Sequence, residues 1–194
     1  MHAVETTPAE SGADTTPTPS TNPSTTPSIT RDTPVPAIGQ PWPEQGGIRV
    51  GRMAGPNGTE VELIIPLYLK DLPIDKAWGR YGQSIPDTSD KLDGAANTRG
   101  LLLSGEDCPA AQAAAEFTVE NGHGRFDDWF LPAQRQLALV QANVQPIIPD
   151  GWYWSSTQYS PDGAWGSLFP DGSQGVNLKD YKGRVLPVRT VLVI

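Results

Sequence analysis

The chain has 194 residues, a net charge of −8 and a pI near 4.6. That acidity argues against binding to nucleic-acid phosphates or to an anionic membrane surface, and Lys and Arg are scattered singly along the chain. A lone cysteine, Cys108, rules out an intrachain disulfide, and no apolar run approaches the ~20 residues that span a bilayer.

The opening Met1-His2-Ala3-Val4-Glu5 lacks the charged and apolar regions of a secretory signal. The expectation is a protein made in a cytoplasm and not exported by that route. Residues 6–36 are about two-thirds Thr, Pro and Ser, without apolar periodicity. Such a composition cannot bury enough surface to offset its ordering entropy. Prolines at 17, 19, 23, 27, 34 and 36 favour polyproline-II-like extension, which at ~3.1 Å per residue reaches on the order of 100 Å. Residues 1–38 therefore read as an extended arm, either a flexible linker or an anchor that orders on a partner. In the anchor reading Val4, Ile29, Val35 and Ile38 are the apolar pegs.

Composition changes at Ile38-Gly39-Gln40-Pro41-Trp42, and residues 39–194 read as one domain of about the size that buries roughly 70% of its unfolded surface. Period-two alternation over Ile48–Met53 predicts a strand. Pro56-Asn57-Gly58 is a turn. Val61, Leu63 and Ile65 alternate with Glu60, Glu62 and Ile64, so the two segments predict a β-hairpin. Residues 70–106 hold turn formers and little periodicity, and read as a long surface insertion.

A helix is predicted over 108–120, with Ala110, Ala113, Ala114 and Phe117 on one face and Asn121-Gly122 as its stop. A second runs from Pro132 to Asn143, with Ala133, Leu137, Val140 and Val144 sharing a face. The remainder is β: 152–157, 164–169 and 176–178, with Pro170-Asp171-Gly172 as a turn, and a last strand over 184–194. Strands, then helices, then strands indicate an α+β domain.

The segment from Asp128 to Arg189 resembles the C-type-lectin-like domains of phage proteins and bacterial adhesins, including the Lcl C-terminal domain and phage tropism determinants. The residues that carry the resemblance are Asp128-Trp129-Phe130-Leu131-Pro132 with Leu137, Trp152-Tyr153-Trp154-Ser155-Ser156-Thr157 and Ala164-Trp165. Asp171-Gly172, Lys179, Arg184-Val185 and Pro187-Val188-Arg189 complete the set. Gly39-Gln40-Pro41-Trp42, Gly46-Gly47-Ile48 and Asp93-Gly94-Ala95-Ala96-Asn97-Thr98 look like phage-encoded members.

The resemblance covers roughly 39–194. It implies that the first and last strands pair, here those near 47–53 and 187–194, and that Trp129, Trp152 and Trp154 anchor the core. It also implies a ligand face on the hairpins that carry Tyr159, Trp165, Ser167, Gln174, Asn177, Lys179 and Tyr181. Tyr and Trp among small polar residues suit recognition, although such residues also simply pack or solvate hairpins.

Other chemistry has little footing. The histidines are His2 and His123 alone, and no His/Cys cluster has zinc spacing. The tripeptides that build the calcium cage of animal C-type lectins are absent. Asp127-Asp128 reads as solvated charge. Ser155-Ser156 is not in a nucleophile elbow. The paired cysteines of sulfatase-activating enzymes, which share the lectin-like fold, are not present, so that enzymatic option is the weakest.

The expectation is thus a non-enzymatic module without cofactor or metal, belonging to a virion and attached to other virion proteins by the arm. Its ligand is a host-surface glycan or protein, and a homotrimer is a further expectation. The alternative is a structural capsid or tail decoration protein that displays the same domain.

Overall fold

A computed structural model of the chain describes residues 27–194. Two short strands, β1 (Ser28–Ile29) and β2 (Pro41–Trp42), precede the predicted hairpin, which forms as β3 (Gly47–Ala54) and β4 (Glu60–Pro66). Asn57 closes the turn at φ +55°, a left-handed conformation that Asn tolerates. A bulge lies between Arg49 and Gly51. The last strand, β10 (Arg189–Val193), completes a five-stranded sheet in the order β1-β10-β4-β3-β2.

The strand near 47–53 therefore does not pair with the last strand. Both lie in one sheet, and β4 intervenes: Ile64 pairs with Arg189 on one side and Arg49 on the other. The tight Pro56–Gly58 turn forces β4 back alongside β3, so the second arm of the hairpin takes the position beside β10. The other edge of β10 receives β1 in parallel. Leu192 N–H donates to Pro27 O at 2.8 Å, Ile194 N–H to Ile29 O at 2.9 Å and Arg31 N–H to Ile194 O at 3.1 Å.

This corrects the domain boundary at residue 39. Ile29 pairs with Val193 and packs with Val35 against Trp42, Ile64 and Val191. Those two apolar residues belong to the domain's own fold and are not free pegs. Ile38 stays about half exposed, and Val4 lies outside the described residues.

Both faces of the large sheet are covered, which explains the unbroken apolar run Leu63-Ile64-Ile65. Leu63 and Ile65 face one core with Leu137, Val140 and Val144, while Ile64 faces the other with Trp129 and Val119. Glu62 points to the second side and is fully buried. Its carboxylate accepts from Arg49 at 2.8 and 3.1 Å and from Arg52 at 2.8 Å. Two guanidinium groups satisfy the charge that burial alone would penalise.

Three helices occur among the described residues. The first, α1 (Gly94–Leu103), lies inside the segment predicted as an irregular insertion. Asp93 caps it through Ala96 N–H at 2.9 Å. Its buried side joins Leu101 to two polar residues: Asn97 donates to Asp90 O, and Thr98 Oγ1 accepts from Leu131 N–H at 3.0 Å. A Cβ at Gly94 would lie 2.4–2.7 Å from Gln136, Ala133 and Leu131, so only glycine permits this approach of α1 to the next helical segment.

The second helix, α2 (Pro109–Ala115), is shorter than the predicted 108–120. Beyond Glu116 the chain enters a hairpin of β5 (Val119–Asn121) and β6 (Gly124–Phe126). There Phe117 packs edge-on against Trp129 at 5.6 Å. The third, α3 (Gln134–Val144), matches its prediction within two residues.

A separate three-stranded sheet follows: β7 (Gly151–Gln158), β8 (Gly163–Phe169) and β9 (Gln174–Leu178), in that order. The predicted 184–194 strand is regular only over β10; Arg184 and Val188 make isolated bridges to Tyr153 and Phe130. The architecture is a mixed helix-and-sheet one, as the pattern of elements predicts. None of the described helices is long and apolar enough to cross a membrane.

Leu137 is fully buried where α3 meets the large sheet. Leu137→Ala should cost about 3 kcal/mol in urea unfolding, the usual loss for a buried leucine that leaves a cavity. Leu103→Ala on exposed α1 surface should stay within about 0.5 kcal/mol. Equal losses would mean that α3 does not close this core.

Candidate functional site

Strand alternation divides the residues of the small sheet into two sets. Register puts Tyr153, Ser167 and Gln174 on one face, continued by Trp165, Val176 and Leu178. The other face carries Trp152, Trp154, Gly166, Gly175, Ala164 and Asn177.

Helix α3 covers one end of the first face. Tyr153 is fully buried there, edge-on to Phe169 at 5.2 Å, with its hydroxyl donating to Pro149 O at 2.9 Å. Gln174 Nε2 donates to Gln134 O at 3.0 Å and so marks where the helix begins. Beyond that point the face is open. Tyr159 and Trp165 meet edge-on at 5.6 Å. Trp165 sits directly across from Val176. Lys91 Nζ stands 6.0 Å from the Trp165 ring, a cation–π contact worth about 0.5–1 kcal/mol at an exposed site. Tyr159 is 62% exposed, Val176 41% and Leu178 53%. The result is an aromatic and aliphatic strip with one lysine at its rim.

The seven expected ligand-face residues are distributed unevenly. Tyr159, Trp165 and Gln174 come together on the open strip. Tyr181 is exposed but lies across the sheet, edge-on to Trp154 at 6.3 Å. Asn177 is on that far face too, and its Oδ1 accepts from Leu178 N–H at 2.9 Å. Ser167 and Lys179 are fully buried and present nothing to a ligand. Val176, Leu178 and Lys91 were not singled out from the sequence. The alternation of Val176 and Leu178 in register with Trp165 was a usable signal for the first two; Lys91 carried none.

Lys179 has a structural role. Its Nζ donates to Gln83 O and, at 2.6 Å, to Gln158 Oε1, and it lies 4.6 Å from the Trp78 ring centre. Trp78 in turn donates through its indole N–H to Ser155 O at 2.7 Å. These contacts hold the 70–92 segment against β7 and β9. No carboxylate lies within ion-pair distance of Lys179 among the described residues. Burial therefore lowers its pKa to about 8, partly offset by Cys108 and Asp162. Burial pushes the Cys108 thiol up to about 11 and the Tyr153 phenol up to about 12.

Among the described residues no group of three His, Cys, Asp or Glu side chains converges as a metal site. Asp127 pairs with Arg125 at 3.4 Å in solvent, and Asp128 with Arg189 at 2.7 and 2.9 Å, so the adjacent aspartates serve separate ion pairs. Ser155 and Ser156 are fully buried in β7. No protein-family model matches the chain, and no curated protein matches it.

The lowered lysine pKa sets a pH dependence. Below pH 8 Lys179 is protonated both folded and unfolded, and the cost of burying its charge is present in full. Above pH 8 the folded protein releases the proton while the unfolded chain holds it up to its usual 10.5, so stability rises with pH. From pH 9 the unfolded thiol ionises before its folded counterpart and cancels the rise, and from pH 10 the phenol does the same and reverses it. Melting temperature should therefore climb between pH 8 and 9, level off, and fall above pH 10. Lys179→Met should abolish the climb; a climb that persists in that variant would assign it to another group.

Proposed function

We propose that this chain is a non-enzymatic, lectin-like binding module of a phage virion, held on the particle by its N-terminal arm and turned toward the host surface. The observation that carries this reading is the open strip of Tyr159, Trp165 and Val176 beyond the start of α3. Large rigid aromatics bury much area at little cost in side-chain entropy, and here buried Tyr153 and Phe169 hold the sheet beneath them. The ligand class is a host-envelope glycan or protein.

The C-type-lectin-like assignment rests on the ordered motifs from Asp128 to Arg189. It is compatible with a sheet that holds both the end of the chain and the opening hairpin of the domain, with helices and a small three-stranded sheet between them in sequence. The virion assignment rests on the same resemblance and on the Thr/Pro-rich arm.

The test is binding of the purified chain to a panel of bacterial envelopes. Trp165→Ala and Tyr159→Ala should each weaken binding by at least tenfold, a loss of about 1.4 kcal/mol, while melting temperature changes little because both side chains reach solvent. Binding that survives both substitutions would remove the strip as the ligand face. Absence of binding across the panel, with many copies found on the particle shell, would favour the decoration role.

A further inference from the structure

β9 is the outer strand of the small sheet, and the state of its free edge can be read rung by rung. Gly175 and Asn177 form the hydrogen-bonded pairs with Gly166 and Ala164, in step with Leu168 N–H donating to Ser173 O and Lys179 N–H to Asp162 O. The N–H and C=O groups of Gln174, Val176 and Leu178 consequently point away from β8. Leu178 is already satisfied, its N–H by Asn177 Oδ1 and its carbonyl by Tyr181 N–H. Val176 has neither backbone group paired outward among the described residues. Its side chain and that of Leu178 are exposed.

The strand Gln174-Gly-Val-Asn-Leu178 has no charge, proline or bulge, the usual devices that blunt an exposed edge. A covered or protected edge would be the default for a monomer. The other edge of this sheet is occupied: Trp154 N–H donates to Arg184 O and Arg184 N–H to Trp152 O.

We propose that β9 pairs antiparallel with β9 of a second copy of this chain, about a two-fold axis through Val176. The pairing is self-complementary. Val176 exchanges both backbone hydrogen bonds with its own counterpart, and Gln174 of each copy lies opposite Leu178 of the other. The same geometry sets the exposed Asp171 turn of one copy beside the exposed Lys182 of the other, with Asp180 nearby. One open rung and a short apolar contact make this a weak, reversible association.

Joining the edges yields a six-stranded sheet that closes at two copies, in place of the homotrimer expected from sequence. It brings two Trp165 strips onto one continuous face, separated by three strand spacings, or roughly 14 Å. A repetitive ligand can then engage both strips, which raises avidity without any new contact. The proposal uses backbone at the strand edge and does not depend on what the strip binds.

Sedimentation equilibrium of the full chain across a concentration series tests it. The 20.8 kDa chain should approach twice its mass at high concentration. Val176→Lys, which places a charge on the axis, should hold the chain at one mass with little change in melting temperature. Should that variant unfold, Lys182→Glu, on exposed surface, should weaken association by severalfold, because three carboxylates then meet at each end of the junction. A wild-type chain that stays monomeric at all concentrations overturns the proposal. So does a dimer that neither substitution affects, or a larger assembly that Val176→Lys leaves intact.

Discussion

Successive side chains of a strand must point to opposite sides, and β7 has apolar matter waiting on both. Tyr153 enters the core shared by the large sheet and α3. Trp154, the next residue, enters a separate core with Trp78, Leu101, Cys108 and Val185. One strand therefore fastens two clusters, and the neighbour pairs Phe130-Leu131 and Val185-Leu186 straddle them in the same way. The indole N–H of Trp154 donates to Lys76 O at 2.9 Å, and that of Trp78 returns to Ser155 O. The long segment after β4 is tied to the strand on which the small sheet is built. A buried indole without its partner leaves an unsatisfied donor, so the two tryptophans hold the segment in one place as well as filling space.

That coupling makes the open strip rigid. Trp165 and Val176 stand in a sheet whose opposite face packs against the Trp78 cluster through Ala164 of β8 and Trp154 of β7. The far end of their own face is filled by Tyr153 and Phe169 under α3. A surface held from behind and from one end loses little freedom when it meets a ligand, which is the condition under which a small aromatic patch binds usefully.

The elements that were legible in the sequence are those whose exposed and buried sides differ in polarity. The β3–β4 hairpin, α3 and the small sheet all show this contrast. Helix α1 blurs it: Asn97 and Thr98 are buried and hydrogen-bonded beside the single buried Leu101, while Leu102 and Leu103 face solvent. No apolar periodicity can report such a helix. Two polar residues expected on the surface are hidden by distant packing as well: Lys179 by the 70–92 segment, and Ser167 on the face that Tyr153 and the start of α3 occupy. Burial caused by a distant segment leaves no local mark. The outer strip was legible in Tyr159 and Trp165 because aromatic residues flanked by turns and short strands are few; its aliphatic half was ordinary strand composition.

The parallel seat of β1 against β10 has a mechanical meaning. A load applied to the chain upstream of Pro27 runs along the strand axis. It meets the bonds from Leu192 to Pro27, from Ile194 to Ile29 and from Arg31 to Ile194 side by side. They share the load in shear and do not open one after another like a zipper. Behind them Ile29 and Val35 must leave an apolar cluster before the sheet lets go. A domain tugged from that end is thus gripped at its root by its own last strand, and the force is passed into the middle of the large sheet through β4.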